Sequence, residues 1–155
     1  MRELGPADGT LVVKTFREGV AAKVGHDLII EVTRWSAKVG DEAIALSADP
    51  GSLEVREGLH GAKPLSDRDR REIRKTIDEK VLGGLPVEFR STSIDGAAVT
   101  GDLTMAGETH QVTVQRTADG GRATLTQTEW GIKPYRGLMG ALKVRDDVEV
   151  VVSGL

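Results

Sequence analysis

Alternation constrains this sequence more than any other feature. In stretch after stretch, apolar and polar residues trade places one for one, as in strands with one face on a core and the other in water. In DLIIEVTRW, Leu28, Ile30 and Val32 share one face, with Glu31 and Thr33 on the other. EAIALSA sets Ile44, Leu46 and Ala48 against Ser47, and SLEVRE sets Leu53 and Val55 against Glu54 and Arg56. VEFRSTS offers Val87, Phe89, Ser91 and Ser93 to one side, AVTGDLTM offers Val99, Gly101, Leu103 and Met105, and THQVTVQ offers Val112 and Val114. RATLTQT adds Ala123 and Leu125. LKVRDDVEVVV, read as one long strand, adds Leu142, Val144, Val148, Val150 and Val152. With TLVVKTF near the start, that makes about nine strands. Many short antiparallel strands with one apolar face make an all-β sandwich or barrel.

The joints agree. Asp95-Gly96 and Asp119-Gly120 read as two-residue hairpin turns, where glycine supplies a positive φ without steric cost, and Ala106-Gly107-Glu108 plays the same role. One segment breaks the rhythm. SDRDRREIRKTIDEKVLGG places Ser66 as an N-cap with Asp69 three residues on, repeats Ile73, Ile77 and Val81 every fourth residue, and stops at Gly83. This predicts a charged amphipathic helix at about residues 66–82, lying outside the β structure and covering one opening or edge.

A chain of 155 residues fits a single domain, 1–155. With no cysteine, disulfides, thiolate nucleophiles and Cys-based zinc sites are excluded. A net charge of −3 without a basic stripe gives no footprint for nucleic acid. No apolar run reaches the roughly 18 residues of a membrane span, and the first residues lack a signal sequence. The expectation is a soluble, cytoplasmic chain with no integral membrane segment, or a periplasmic or secreted one if a leader has been removed.

Candidate chemistry is sparse. His110 shares parity with Val112 and Val114, so it faces the apolar side near a rim. It is read as a locally bonded rim histidine, the functional alternative being a polar contact to a ligand head group. His26 and Asp27 are adjacent on a strand and point to opposite faces, which rules out a catalytic dyad if the strand is regular. His60 sits in the Gly-rich loop GLHGAKP, where Pro64 follows Lys63 and spoils any phosphate loop. Glu31, Glu54 and Asp102 read as a solvated face. No metal-ligand spacing and no cofactor motif is present, and the reading is of a protein without cofactor or enzyme activity.

What remains is the interior. Ala48, Ser91, Ser93, Gly101 and Ala123 interleave with larger aliphatic residues, and the chain holds only five aromatics. A barrel of about eight strands is either filled by its side chains or holds one small ligand. The pattern leaves these two open, and the small inward residues favour a cavity. Leu28, Ile30, Phe89, Leu103 and Met105 are the candidate wall. Trp130, Tyr135, Leu138 and Met139, in the Gly-punctuated loop EWGIKPYRGLMGALKV, are candidates for the mouth. That loop reads as a plug, a lid or a dimer contact.

DLTMAGETHQVTV resembles the G-x-L-T-x-x-G-x-T-x-x-V stretch of the YceI-like family. SADPGSLEVREG, LPVEFRSTSI and TEWGIKPY resemble further segments of that family in the same order. The resemblance implies an eight-stranded antiparallel, up-and-down-like extended barrel of lipocalin-like form, with a helix covering it and an apolar tunnel inside. It also implies a ligand class, polyisoprenoids, isoprenoid quinones or similar lipids, and no catalysis. The family motif is strand, turn, strand, and His110 falls at a position it leaves open. The resulting expectation is a carrier or sequestering protein for a long apolar or amphiphilic molecule. The alternative is a filled barrel that forms a homodimer or docks a protein partner.

Overall fold

The computed structural model describes residues 2–17, 27–59, 65–134, 136–137 and 142–155. His26, His60, Tyr135, Leu138 and Met139 lie outside these residues. The described strands are β1 (Arg2–Leu4), β2 (Thr10–Thr15), β3 (Asp27–Val32), β4 (Trp35–Val39), β5 (Ile44–Ala48), β6 (Leu53–Leu59), β7 (Val87–Asp95), β8 (Ala98–Met105), β9 (Glu108–Thr117), β10 (Gly120–Thr126), β11 (Arg136–Gly137), β12 (Leu142–Lys143) and β13 (Asp147–Ser153). Eleven of them form one sheet in the order β1-β4-β5-β7-β8-β9-β10-β13-β2-β3-β6, with every neighbouring pair antiparallel. β11 and β12 make a separate ribbon.

The connections force this sheet to curl. β3 and β4 stand next to opposite edges, yet only Thr33 and Arg34 lie between them. In a flat sheet eight strand spacings would separate them by about 38 Å, and three peptide steps span only about 11 Å. The sheet must therefore bend until its edges approach. The link is fixed where they meet: Thr33 donates to the Ser52 carbonyl from both its backbone N–H (2.9 Å) and its hydroxyl (2.7 Å). The Arg34 N–H donates to Ser52 Oγ at 3.0 Å. These bonds also explain why DLIIEVTRW, a single alternating run in the sequence, is two strands. The result is an eleven-stranded, strongly curled sheet with β1 and β6 at its edges, rather than a closed ring of eight strands.

Helix α1 (Asp67–Thr76) continues in one wider turn, Ile77–Val81, and lies along edge strand β6. The expected capping box is present: Ser66 Oγ accepts from Asp69 N–H at 3.1 Å, and Asp69 Oδ2 accepts from Ser66 N–H at 3.1 Å. Gly83 and Gly84, with φ of 63° and 69°, end the helix, where the Gly84 N–H returns to the Asp78 carbonyl at 2.8 Å. Arg70 joins helix to sheet. β6 bulges at Arg56, and the Arg70 guanidinium donates to the Val55 and Arg56 carbonyls at 3.2 and 3.0 Å. It thus occupies backbone acceptors that an edge strand would otherwise offer to another chain. Outside, Arg56 pairs with Glu31 (2.8 Å) and Glu54 (2.7 Å), the solvated face expected of these carboxylates. The hydrogen bond to Glu31 raises the Arg56 pKa further above its already high value.

Four local readings need correction. The β7–β8 turn is Gly96-Ala97, because Asp95 is still a strand residue opposite Ala98. The β9–β10 turn is Ala118-Asp119, and Gly120 is already a strand residue, opposite Thr117. Asp119 holds the turn by accepting from the Gly154 N–H at 3.0 Å. β7 bulges between Ser91 and Ser93, which rotates Ser93 off the inner face and turns Ile94 towards the core beside Val99. The long strand read from LKVRDDVEVVV is broken after Lys143, because Asp146 turns aside to accept from the Thr128 N–H (2.9 Å) and hydroxyl (2.6 Å). The motif turn behaves as read. Ala106 and Gly107 have φ of 52° and 80°, the two positive values a type I′ turn requires. The flanking Thr104 and Thr109 hydroxyls bond across it at 2.8 Å.

Candidate ligand cavity

Inside the curl is an apolar cavity of about 450 Å³. The inward residues of the strands line it, and the helix supplies Ile73, Ile77, Val81 and Leu82 along the seam between the sheet edges. The charged helix therefore closes the cavity with its single apolar stripe.

The two ends of the cavity differ. One end carries the Gly96-Ala97 and Ala118-Asp119 turns, tied together by the Arg116 N–H bond to the Ala97 carbonyl at 2.7 Å. Towards this end Val39, Ile44, Val114, Ala123, Val150 and Val152 face inward and are only half-buried, while Leu11 and Val99 beside them are packed. The other end carries the Ala106-Gly107 turn. There Leu28 is 1% exposed, Leu103 8%, Met105 9% and Leu125 6%, so the space is filled. The cavity opens at the first end.

Of the expected wall residues, Leu28, Ile30, Phe89, Leu103 and Met105 all line the cavity, mostly on its filled side. Trp130, expected at a mouth, is instead buried at the filled end. Its indole N–H donates to the Leu103 carbonyl at 3.0 Å, and its ring meets the His110 ring edge-on at 5.4 Å. Within this packing His110 Nε2 lies 3.5 Å from Glu108 Oε1, too long for a good hydrogen bond, and His110 does not line the cavity. Gly101 does not leave a void either. A Cβ there would stand 2.6 Å from the Phe89 ring, which lies across the glycine from the neighbouring strand. Half-buried Ala123 does line open space, whereas Ala48, opposite Val87 at the filled end, is buried.

Several polar residues that sequence reasoning passed over reach the cavity, and three of them take inward strand positions. Thr15, at the filled end, is 8% exposed and its hydroxyl has no hydrogen-bond partner. Arg116 follows Val112 and Val114 on the same inward parity of β9 and stands at the open end. Arg2 takes the same parity as Leu4 on β1, opposite Val39 and beside the β4–β5 turn. The signal was present: Arg116 ends an alternating apolar run, where a core position gives way to a rim. Among the described residues no group of His, Asp and Glu could hold a metal ion, and no helix is long and apolar enough to cross a membrane.

An antiparallel sheet curled round an apolar space, with a helix over the seam, defines a class of β proteins built to enclose something. Residues 80–154 match the YceI-like domain. The match runs from the last turn of the helix to the end of β13 and includes the DLTMAGETHQVTV motif that carried the resemblance. No curated protein matches the chain.

Proposed function

We propose that this protein binds a long apolar or amphiphilic molecule inside the curled sheet and carries or sequesters it without chemical change. The cavity carries this reading. Its volume falls within the roughly 300–1,000 Å³ of small-molecule sites, and its walls are almost entirely aliphatic. Each methylene moved from water into such a space contributes about 0.8 kcal/mol, so a chain of a dozen carbons needs few polar contacts to bind. The YceI-like resemblance supports a polyisoprenoid, an isoprenoid quinone or a similar lipid as the ligand, in a lipocalin-like enclosure. An open volume this large favours a carrier over a filled barrel that serves only as an interaction module.

Native mass spectrometry of freshly purified protein, paired with organic extraction, tests the proposal. A co-purified apolar species near one per chain, released by solvent, is the expected result. Protein that emerges empty and takes up no added long-chain lipid at micromolar concentration would refute it.

A further inference from the structure

We infer that the cavity selects amphiphiles with an anionic head group, a carboxylate or a phosphate monoester, held between Arg2 and Arg116 at the open end with the chain pointing towards Met105. This rests on the carrier reading above and adds the polarity of the ligand and its direction of insertion.

Both arginines occupy strand positions of inward parity, where the alternation would otherwise place an aliphatic residue, and both line the cavity. They stand on strands that lie well apart in the sheet, β1 and β9, so the curl sets them on different sides of the opening. Among the described residues neither guanidinium has an ion pair or a side-chain hydrogen bond. Among the cavity-lining residues at this rim the carboxylate is Asp119, engaged in its own turn with the Gly154 N–H at 3.0 Å and the Thr117 hydroxyl at 3.5 Å. Asp41 and Glu42 in the β4–β5 turn, and Asp95 at the end of β7, do not line the cavity. Arg122 adds a third cation beside the rim, on the outer face of β10. The cavity lining at the rim therefore carries three cations to one anion over an apolar shaft. Arginine suits this place because its stem covers apolar surface while its planar fork binds carboxylate or phosphate oxygens two at a time.

The filled end is a poor seat for such a head group. None of the charged residues lining the cavity is on β2 or on its neighbours β3 and β13, and Thr15 offers only one hydroxyl there. Among the described residues that line the cavity, an anion placed at that end finds no counter-charge, and burying it unpaired costs several kcal/mol.

Displacement of the neutral dye Nile red by laurate, dodecyl phosphate and dodecanol tests the inference, since the three probes share a chain and differ at the head. The wild type should bind laurate or dodecyl phosphate at least about fivefold more tightly than dodecanol, consistent with one net charge-assisted hydrogen bond at a partly wet rim. The preferred anion shows which head group the rim fits. In the double variant Arg2→Gln, Arg116→Gln the ratio should fall to about one, and Arg2→Lys, Arg116→Lys should restore part of it. Dodecanol binding as tightly as both anions in the wild type would overturn the inference, as would a ratio that survives in the glutamine variant. So would a ratio that collapses in Thr15→Val instead, because the head would then sit at the filled end. If none of the probes displaces the dye and the dye itself does not bind, it is the carrier reading that fails.

Discussion

The two ends of one cavity, built by the same strands, do different work. At the end near Ala106-Gly107, Leu28, Leu103, Met105 and Leu125 interlock with Trp130 beside them, and the side chains are buried to within a few per cent of completely. At the end near Ala118-Asp119, the same strands present alanine and valine that stay half-exposed across an open space. Continuing alternation therefore says that a face is inward without saying that it is packed. Side-chain size decides between them. Leucine and methionine reach far enough to meet across the curl, whereas Ala123, Val150 and Val114 do not. Packed space and open space are consequently separated along the length of the strands.

That separation can be broken by substitution, and the effects should fall in a definite order. Leu28→Ala, in the filled end, should cost about 2–5 kcal/mol in denaturant unfolding, through lost transfer energy and a cavity that cannot relax. A cost below about 1 kcal/mol would mean that the two ends do not differ. Gly101→Ala should come next, at about 1–3 kcal/mol, because the added methyl overlaps the Arg90 carbonyl oxygen as well as the Phe89 ring. The double change Gly101→Ala, Phe89→Leu should recover only a small part of that loss, since the overlap with the Arg90 backbone remains. Trp130→Phe removes the indole N–H bonded to the Leu103 carbonyl and part of a fully buried ring system, and should cost about 1–2 kcal/mol. Val150→Ala, in the open end, should cost least, under about 1 kcal/mol, because much of that side chain already faces empty space. A large loss there would show that the open end is packed in solution.

Much of this was legible in the sequence, and the failures have physical causes. Alternation located nine of the eleven strands of the main sheet, missing β1 and β4, and the Ser66–Asp69 box and Gly83 located the helix, because these signals are local. The split after Val32 was hidden, since it depends on Ser52, just before the neighbouring strand β6, holding Thr33 and Arg34. The β7 bulge was hidden for the same reason. It is a matter of register against β8, and it moved Ser93 and Ile94 to opposite faces from those their spacing suggests. Glycine was misread at Gly101 because a missing side chain looks like space until the partner's ring is placed in it. The inward wall residues were readable from parity. Which end opens was not, because Trp130 looks like a mouth residue in sequence and becomes a plug only when the Leu103 carbonyl accepts its N–H.

The most direct measurement of the central claim, that the open half is where a ligand chain lies, is Nile red uptake by the wild type and Ala123→Phe, with unfolding curves recorded on both. The account predicts that Ala123→Phe folds with stability within about 1 kcal/mol of the wild type, since the ring fills existing space, and that uptake falls at least about tenfold. A folded Ala123→Phe protein that takes up the dye as well as the wild type would contradict it.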